Sequence, residues 1–277
     1  MSTTFMVAVF AFLTALPAQI VYGQNQANYV GNESCLKCHP IKGDKKETTI
    51  SKWKNHKHAK LEHGCETCHG PGKEHSSLKV KQLLDLKKKK GDLKIKLKSL
   101  RKSEACAHCH QKTKDKSIAL HSDFLVSGQQ QYTEMLYNKK TQLKMTCVMC
   151  HDAHASSSTK EGIKRKCLDC HKGKYKVEVK IAAMSGLSCE DCHMPYAGVN
   201  KKDTMVEEYH KGDVRSHIFG ISVDPKYALN DGTGKAKLDK NGFARLTVEQ
   251  TCYACHITGK AHDMNRKEML ARAKKIH

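Results

Sequence analysis

Fourteen cysteines fall into seven Cys-x-x-Cys-His sequences, and none is left over. They are Cys35 and Cys38 with His39, Cys65 and Cys68 with His69, Cys106 and Cys109 with His110, Cys147 and Cys150 with His151, Cys167 and Cys170 with His171, Cys189 and Cys192 with His193, and Cys252 and Cys255 with His256. His supplies 18 of 277 residues, so its recurrence after every pair by chance has odds on the order of one in 10⁸. The chemistry this spacing supports is covalent haem attachment. On one helical turn, cysteines three apart reach the two vinyl carbons of a porphyrin edge, and the adjacent imidazole swings over the ring face to bind iron. Zinc sites rarely place a His after every second Cys, and thiols three apart on a helix are badly aimed for a disulfide. The cofactor expectation is seven c-type haems.

Seven proximal imidazoles leave eleven further His: His56, His58, His63, His75, His108, His121, His154, His210, His217, His262 and His277. That surplus favours a second His on each iron over random surface placement. His262 fits by its place just after the last motif, and His210 competes with His63 for a remaining iron. His108 is held inside its own motif, and His277 is terminal.

These ligands need short elements to hold them. Thr247-Val-Glu-Gln250 has capping-box spacing ahead of Cys252, and Asn32 or Ser34 is expected to cap the turn at Cys35. Pro40, Pro71 and Pro195 follow their motif His within two residues, where they end the turn. Residues 263–276 read as a C-terminal helix opening on Asp263. With only 6% aromatic residues and seven haems to wrap, the chain lacks the apolar supply for one large ordinary core, so the haems are expected to form it. The fold class is mainly α with extensive loops, short helices wrapped around a stack of seven haems, with little or no β. The motif spacing is irregular, which excludes a solenoid. Residues 24–77 are expected to hold haems one and two, 106–175 haems three to five, and 176–277 haems six and seven with the C-terminal helix.

Between the first two units, residues 78–105 form a Lys-rich connector, with Lys87 to Lys90 contiguous and Gly91 following. Helical spacing of Leu93, Leu97 and Leu100 suggests a helical hairpin turning near Gly91. A solvated connector is the simpler reading; docking to an acidic partner or to lipid headgroups is the other. Residues 1–23 carry no charge and contain an apolar run of signal-peptide length, with Val21 and Gly23 suited to cleavage. The missing basic n-region leaves an uncleaved anchor as the alternative. Leader and attachment motifs together point to a periplasmic or equivalent extracytoplasmic compartment, which makes nucleic acid an improbable partner. The formal charge of +21 falls to roughly +14 with ferric haems, because each adds two propionates.

Trp53-x4-His58-Ala59 followed by Cys65-x-x-Cys-His69-Gly70-Pro71-Gly72-x-x-His75 resembles the repeat of multihaem cytochromes related to the tetrahaem cytochrome of hydroxylamine oxidation and to decahaem porin-associated cytochromes. The resemblance implies His58 and His75 as distal ligands, although His56 stands where that family usually has Ser. It continues through His121-Ser-Asp-Phe-Leu and His151-Asp-Ala-His154, implying His121 and His154 as ligands. Cys189-x-x-Cys-His193-Met-Pro195 and Gly212-Asp-Val-Arg-Ser-His217 are similar to segments of nitrite-reductase and hydroxylamine-oxidoreductase-like proteins, which implies His217.

An iron closed by two His cannot bind substrate, so the primary expectation is electron relay between redox proteins that are acidic or membrane-bound. The alternative is a reductase or oxidoreductase of a small nitrogen or sulfur oxyanion at one five-coordinate haem, with Arg215, Tyr209 and His210 as candidate helpers. A third reading is a surface polymer, in which a His of one subunit ligates iron in the next. No Cys-x-x-Cys-Lys motif of the nitrite-reductase type is present.

Overall fold

The computed structural model describes residues 26–39, 49–62, 64–79, 81–82, 103–121, 124–126, 129–138, 145–171, 184, 186–200, 212–253, 255–256 and 263–276. The leader, the middle of the Lys-rich connector, His63, Tyr209, His210, His262 and His277 lie outside the described residues.

Each attachment motif rides on or ends a helix of one or two turns. These are Gly31–Leu36, Cys65–His69, Glu104–His110, Cys147–Cys150, Cys167–His171, Cys189–His193 and Val248–Cys252. Such short helices are unstable alone, so packing against the rest of the protein must hold them. Four further described helices, Thr49–Lys54, Lys73–Ser77, Gln131–Leu136 and Arg266–Ala273, carry no Cys. No described helix is long and apolar enough to cross a membrane.

The fold is mainly helical with loops, as the sequence implies, but it also contains a small sheet. Strand β1 (Leu120–His121) pairs antiparallel with β2 (Phe124–Val126), placing Leu120 opposite Leu125 and His121 opposite Phe124. Strand β3 (Gly198–Val199) joins β2 in parallel. The alternation of the pleat buries Leu120 and Leu125 and leaves His121 exposed.

That sheet belongs to a core made by polypeptide alone. Ile118, Leu120, Leu125, Ala197, Ile218, Leu229, Ala244 and Leu246 pack together, five of them from the long polar stretch between motifs six and seven. The stretch folds because its Asx turns satisfy the backbone locally. Asp231 Oδ1 accepts from the N–H and hydroxyl of Thr233, and Asp239 Oδ1 from the N–H groups of Asn241 and Phe243. A low aromatic content therefore did not prevent a local apolar core, because aliphatic residues spaced far apart in sequence converge on the sheet.

A second cluster of Val248, Met264, Met269 and Leu270 docks the C-terminal helix Arg266–Ala273 against Cys252 and Tyr253 of the last motif. The expected Thr247 cap is present, with the Thr247 N–H donating to Gln250 Oε1 at 2.9 Å. The C-terminal helix starts later than Asp263. Asn265 is its cap, accepting from the Glu268 N–H at 3.0 Å while Glu268 Oε2 accepts from the Asn265 N–H at 3.0 Å. Asn has the same capping chemistry as Asp, and the reciprocal Glu three residues on decides between them. Asn265→Ala is expected to lower stability by about 1 kcal/mol, read by thermal denaturation of the holoprotein.

Candidate haem-binding centres

The motif helices are capped across space as well as locally. The Cys65 N–H donates to Asn32 Oδ1 at 2.9 Å, so Asn32, three residues before Cys35, caps the second motif and not the first. Gly64 makes this approach possible: its φ is +49° and a Cβ there would lie 2.0 Å from Asn32 Oδ1. The same device recurs at the next pair. The Cys147 N–H donates to Ser103 Oγ at 3.1 Å, and Ser103 also lies three residues before its own motif's first Cys. Each cap ties the start of one attachment helix to the entry of the preceding one.

Glu66, between the two cysteines of motif two, is 2% exposed. Its carboxylate accepts from the N–H groups of Val30, Gly31 (2.8 Å) and Gly72 (2.6 Å). One anion thus sits at the N-terminal ends of two helices, the one bearing Cys35 and the one bearing His75, where unpaired N–H groups favour negative charge. Nothing in the sequence separates Glu66 from Glu190, which occupies the same place in motif six.

The motif thiols run side by side in chain order. Burial and then the thiol of Cys65 push Cys35 up to about 11, and Cys106 and Cys147 hydrogen-bond each other through their thiols. Burial raises Cys68, Cys150, Cys167 and Cys192, and in each the thiol of the following motif adds to it: Cys109, Cys170, Cys189 and Cys255 respectively. Motif one therefore neighbours two, two neighbours three, and so on to seven.

The imidazoles test whether these motifs fit haem. Two His bound to opposite faces of one iron have ring centroids about 6.3 Å apart, from metal–nitrogen bonds of about 2 Å and the size of the ring. Among the described residues, four motif His meet a second His at that separation. His39 faces His75 at 6.5 Å with planes 14° apart, and His69 faces His154 at 6.1 Å and 10°. His110 faces His58 at 6.1 Å and 62°, and His151 faces His217 at 6.2 Å and 33°. Imidazoles bound through one nitrogen to the same iron would each point along the metal–nitrogen axis, and the spacing leaves room for an iron between each pair. The arrangement fits bis-His haem at four motifs.

Each second imidazole comes from a segment remote from the motif it faces. His75 follows motif two, His154 follows motif four, His58 precedes motif two, and His217 lies between motifs six and seven. His56 and His58 are separated by role. The ring of His56 caps the turn Lys57–Lys60, accepting from the His58 N–H at 3.1 Å, while the ring of His58 turns to His110. His121 lies exposed on β1 and faces no other described imidazole at this separation. His108 projects from the exposed side of its motif helix. Burial lowers the pKa of His58 and His151 and takes His217 down to about 4, so all three imidazoles are neutral near pH 7, the form that binds metal.

Hydrogen bonds fix the proximal rings. His110 Nδ1 lies 3.0 Å from Gln131 Oε1, and His193 Nδ1 lies 2.8 Å from the Phe219 carbonyl. With Nδ1–H donating in both, Nε2 is the nitrogen left for iron. Arg215 is committed elsewhere. Its guanidinium donates to the carbonyls of Glu190 (2.8 Å) and Met194 (2.9 Å) and to Asp191, and lies 4.4 Å over the ring of Tyr196. It completes the C-terminal end of the motif-six helix, where exposed carbonyls favour a cation.

Comparison with known proteins adds the following. The family model for cytochrome c554 and c-prime matches residues 17–70, which take in the first two motifs. The dissimilatory sulfite reductase MccA of Wolinella succinogenes is 27% identical over 126 residues, covering 35% of this chain and 17% of that protein. The solved octaheme sulfite reductase MccA of Wolinella succinogenes, form II, matches with a TM-score of 0.52 at 19% identity, over 76% of this chain and 40% of that one. This chain thus spans under half of the relative's length, and at that identity the structural likeness is one of fold.

Proposed function

We propose that this multihaem cytochrome c binds seven c-type haems and relays electrons between extracytoplasmic redox partners. The observation that carries the reading is the set of four imidazole pairs at 6.1 to 6.5 Å. When bound, the haems would supply one-electron storage, at low potential at the four centres whose second donor is His and not Met. The paired His would hold the iron of each haem from both sides, leaving no position for substrate at those four centres. The chain order of neighbouring thiols supports a continuous path from the N-terminal to the C-terminal motif. Basic side chains offset the propionates and favour brief, salt-sensitive contact with acidic or membrane-bound donors and acceptors. The attachment motifs and the uncharged leader support a location outside the cytoplasm.

Ferric electron paramagnetic resonance of the purified protein, with absorbance at roughly 630 nm, tests this. Only low-spin signals are expected. The two near-parallel pairs should give rhombic spectra, and the pair inclined at 62° a spectrum with a larger maximum g value. A high-spin component of about one haem would sink the pure-relay reading.

That outcome would support the second reading, reduction of a small oxyanion at one open haem, which draws on the similarity to a sulfite reductase. Sulfite, nitrite and hydroxylamine would then be the substrates to assay. The engagement of Arg215 with Asp191 and two carbonyls weighs against its serving such a site.

A further inference from the structure

The helix Gln131–Leu136 carries no attachment motif, yet it is lined with buried polar groups. Gln130, Thr133, Glu134 and Asn138 are 1%, 0%, 4% and 3% exposed. Gln131, Glu134 and Asn138 follow the i, i+3, i+7 spacing of one helix face, which in a short buried helix is ordinarily apolar. Burying such groups is costly unless every one is satisfied, so their partners show what the face is for.

Gln130 bonds the Ala119 backbone and Thr133 Oγ1 has no partner among the described residues, but the partners of Gln131, Glu134 and Asn138 are motif or paired imidazoles and the backbone that bears them. Gln131 Oε1 meets His110 Nδ1 at 3.0 Å. Glu134 Oε2 accepts from the His217 N–H at 2.6 Å and from the Ser216 hydroxyl at 3.2 Å. Asn138 Nδ2 donates to the His217 carbonyl, and its Oδ1 accepts from the Phe219 N–H at 2.9 Å. Phe219 in turn offers its carbonyl to His193 Nδ1. Residues 216–219 are therefore clamped on both sides of His217 by a helix about 80 residues earlier in the chain.

We propose that this helix is a positioning element that aims three imidazoles, those of His110, His193 and His217, at three separate irons. Glu134 is its pivotal residue for His217. The inference rests on the bis-His reading above. A helix that only filled space would use apolar residues on this face and would leave the 216–219 backbone free to shift. Here Glu134 and Asn138 fix both peptide groups of His217, so the ring direction follows from the helix.

The test compares ferric spectra of the holoprotein in four forms. Wild type is expected to be low-spin at the His151 centre, and His217→Ala to gain one haem equivalent of high-spin signal. Glu134→Ala should gain roughly half of one haem equivalent, reversed by added imidazole, as expected when a ligated state loses part of its advantage over an open one. Glu134→Gln, which keeps an acceptor for the His217 N–H, should remain low-spin. If Glu134→Ala does not accumulate as holoprotein, Asn138→Ala is read in the same way. A Glu134→Ala protein that melts earlier but stays wholly low-spin, beside a high-spin His217→Ala, overturns the positioning role and leaves the ligand intact. A His217→Ala protein that stays low-spin overturns the ligation reading itself.

Discussion

His154→Ala is expected to turn the His69 centre from closed to open, the largest single change of chemistry available in this chain. The ring of His154 stands 6.1 Å from that of His69 with the planes nearly parallel, and Ala leaves one axial direction empty. The ferric protein should gain a high-spin signal of about one haem equivalent, and the reduced protein should bind carbon monoxide at about one per chain where wild type binds none at this centre. The exchange should cost little stability, because His154 is partly exposed and its contact with Asp152, 3.5 Å away, is a surface interaction. Spectra identical to wild type would show that His154 does not ligate iron.

Glu66→Ala is expected to have the largest effect on stability. The change would strip partners from the N–H groups of Val30, Gly31 and Gly72, the last of them buried. Charge-assisted bonds of this kind, left unsatisfied, cost roughly 3 kcal/mol or more together. Glu66→Gln keeps one acceptor oxygen and should lose about half as much. Thermal denaturation of the holoproteins measures both. Because Gly72 caps the helix that carries His75, the Ala variant should also loosen the His39 centre, seen as a high-spin fraction that wild type lacks. A melting temperature within a degree or two of wild type would remove Glu66 as the staple.

The positions of the motifs and the shortness of the helices were legible because they depend on neighbours in sequence. Covalent attachment needs two thiols and an imidazole within one turn, and a capping box needs residues three apart, so both leave a local pattern. Thr247 with Gln250 is such a case. The Asn32 cap shows where this stops. Its spacing suits a cap for Cys35, but its side chain is used 33 residues away at Cys65, through a Gly64 whose left-handed backbone allows the approach. His56 and His58 were alternatives in sequence, and the turn at Lys57–Lys60 separates them by bonding one ring to the backbone. The aliphatic core around β1 to β3 was hidden for a related reason, since its members are scattered over more than 120 residues among polar neighbours.

By itself the sequence determined where the Cys-x-x-Cys-His motifs lie and that each fits on one helical turn, because two thiols and an imidazole so spaced are a local pattern. Tertiary structure alone decided which second imidazole faces which motif and which motif lies beside which. An axial partner has to be brought from a remote segment to the opposite face of a ring, and that depends on Glu66, Ser103, Glu134 and Asn138, whose bonds span about 35 to 80 residues and leave no periodic trace in the chain.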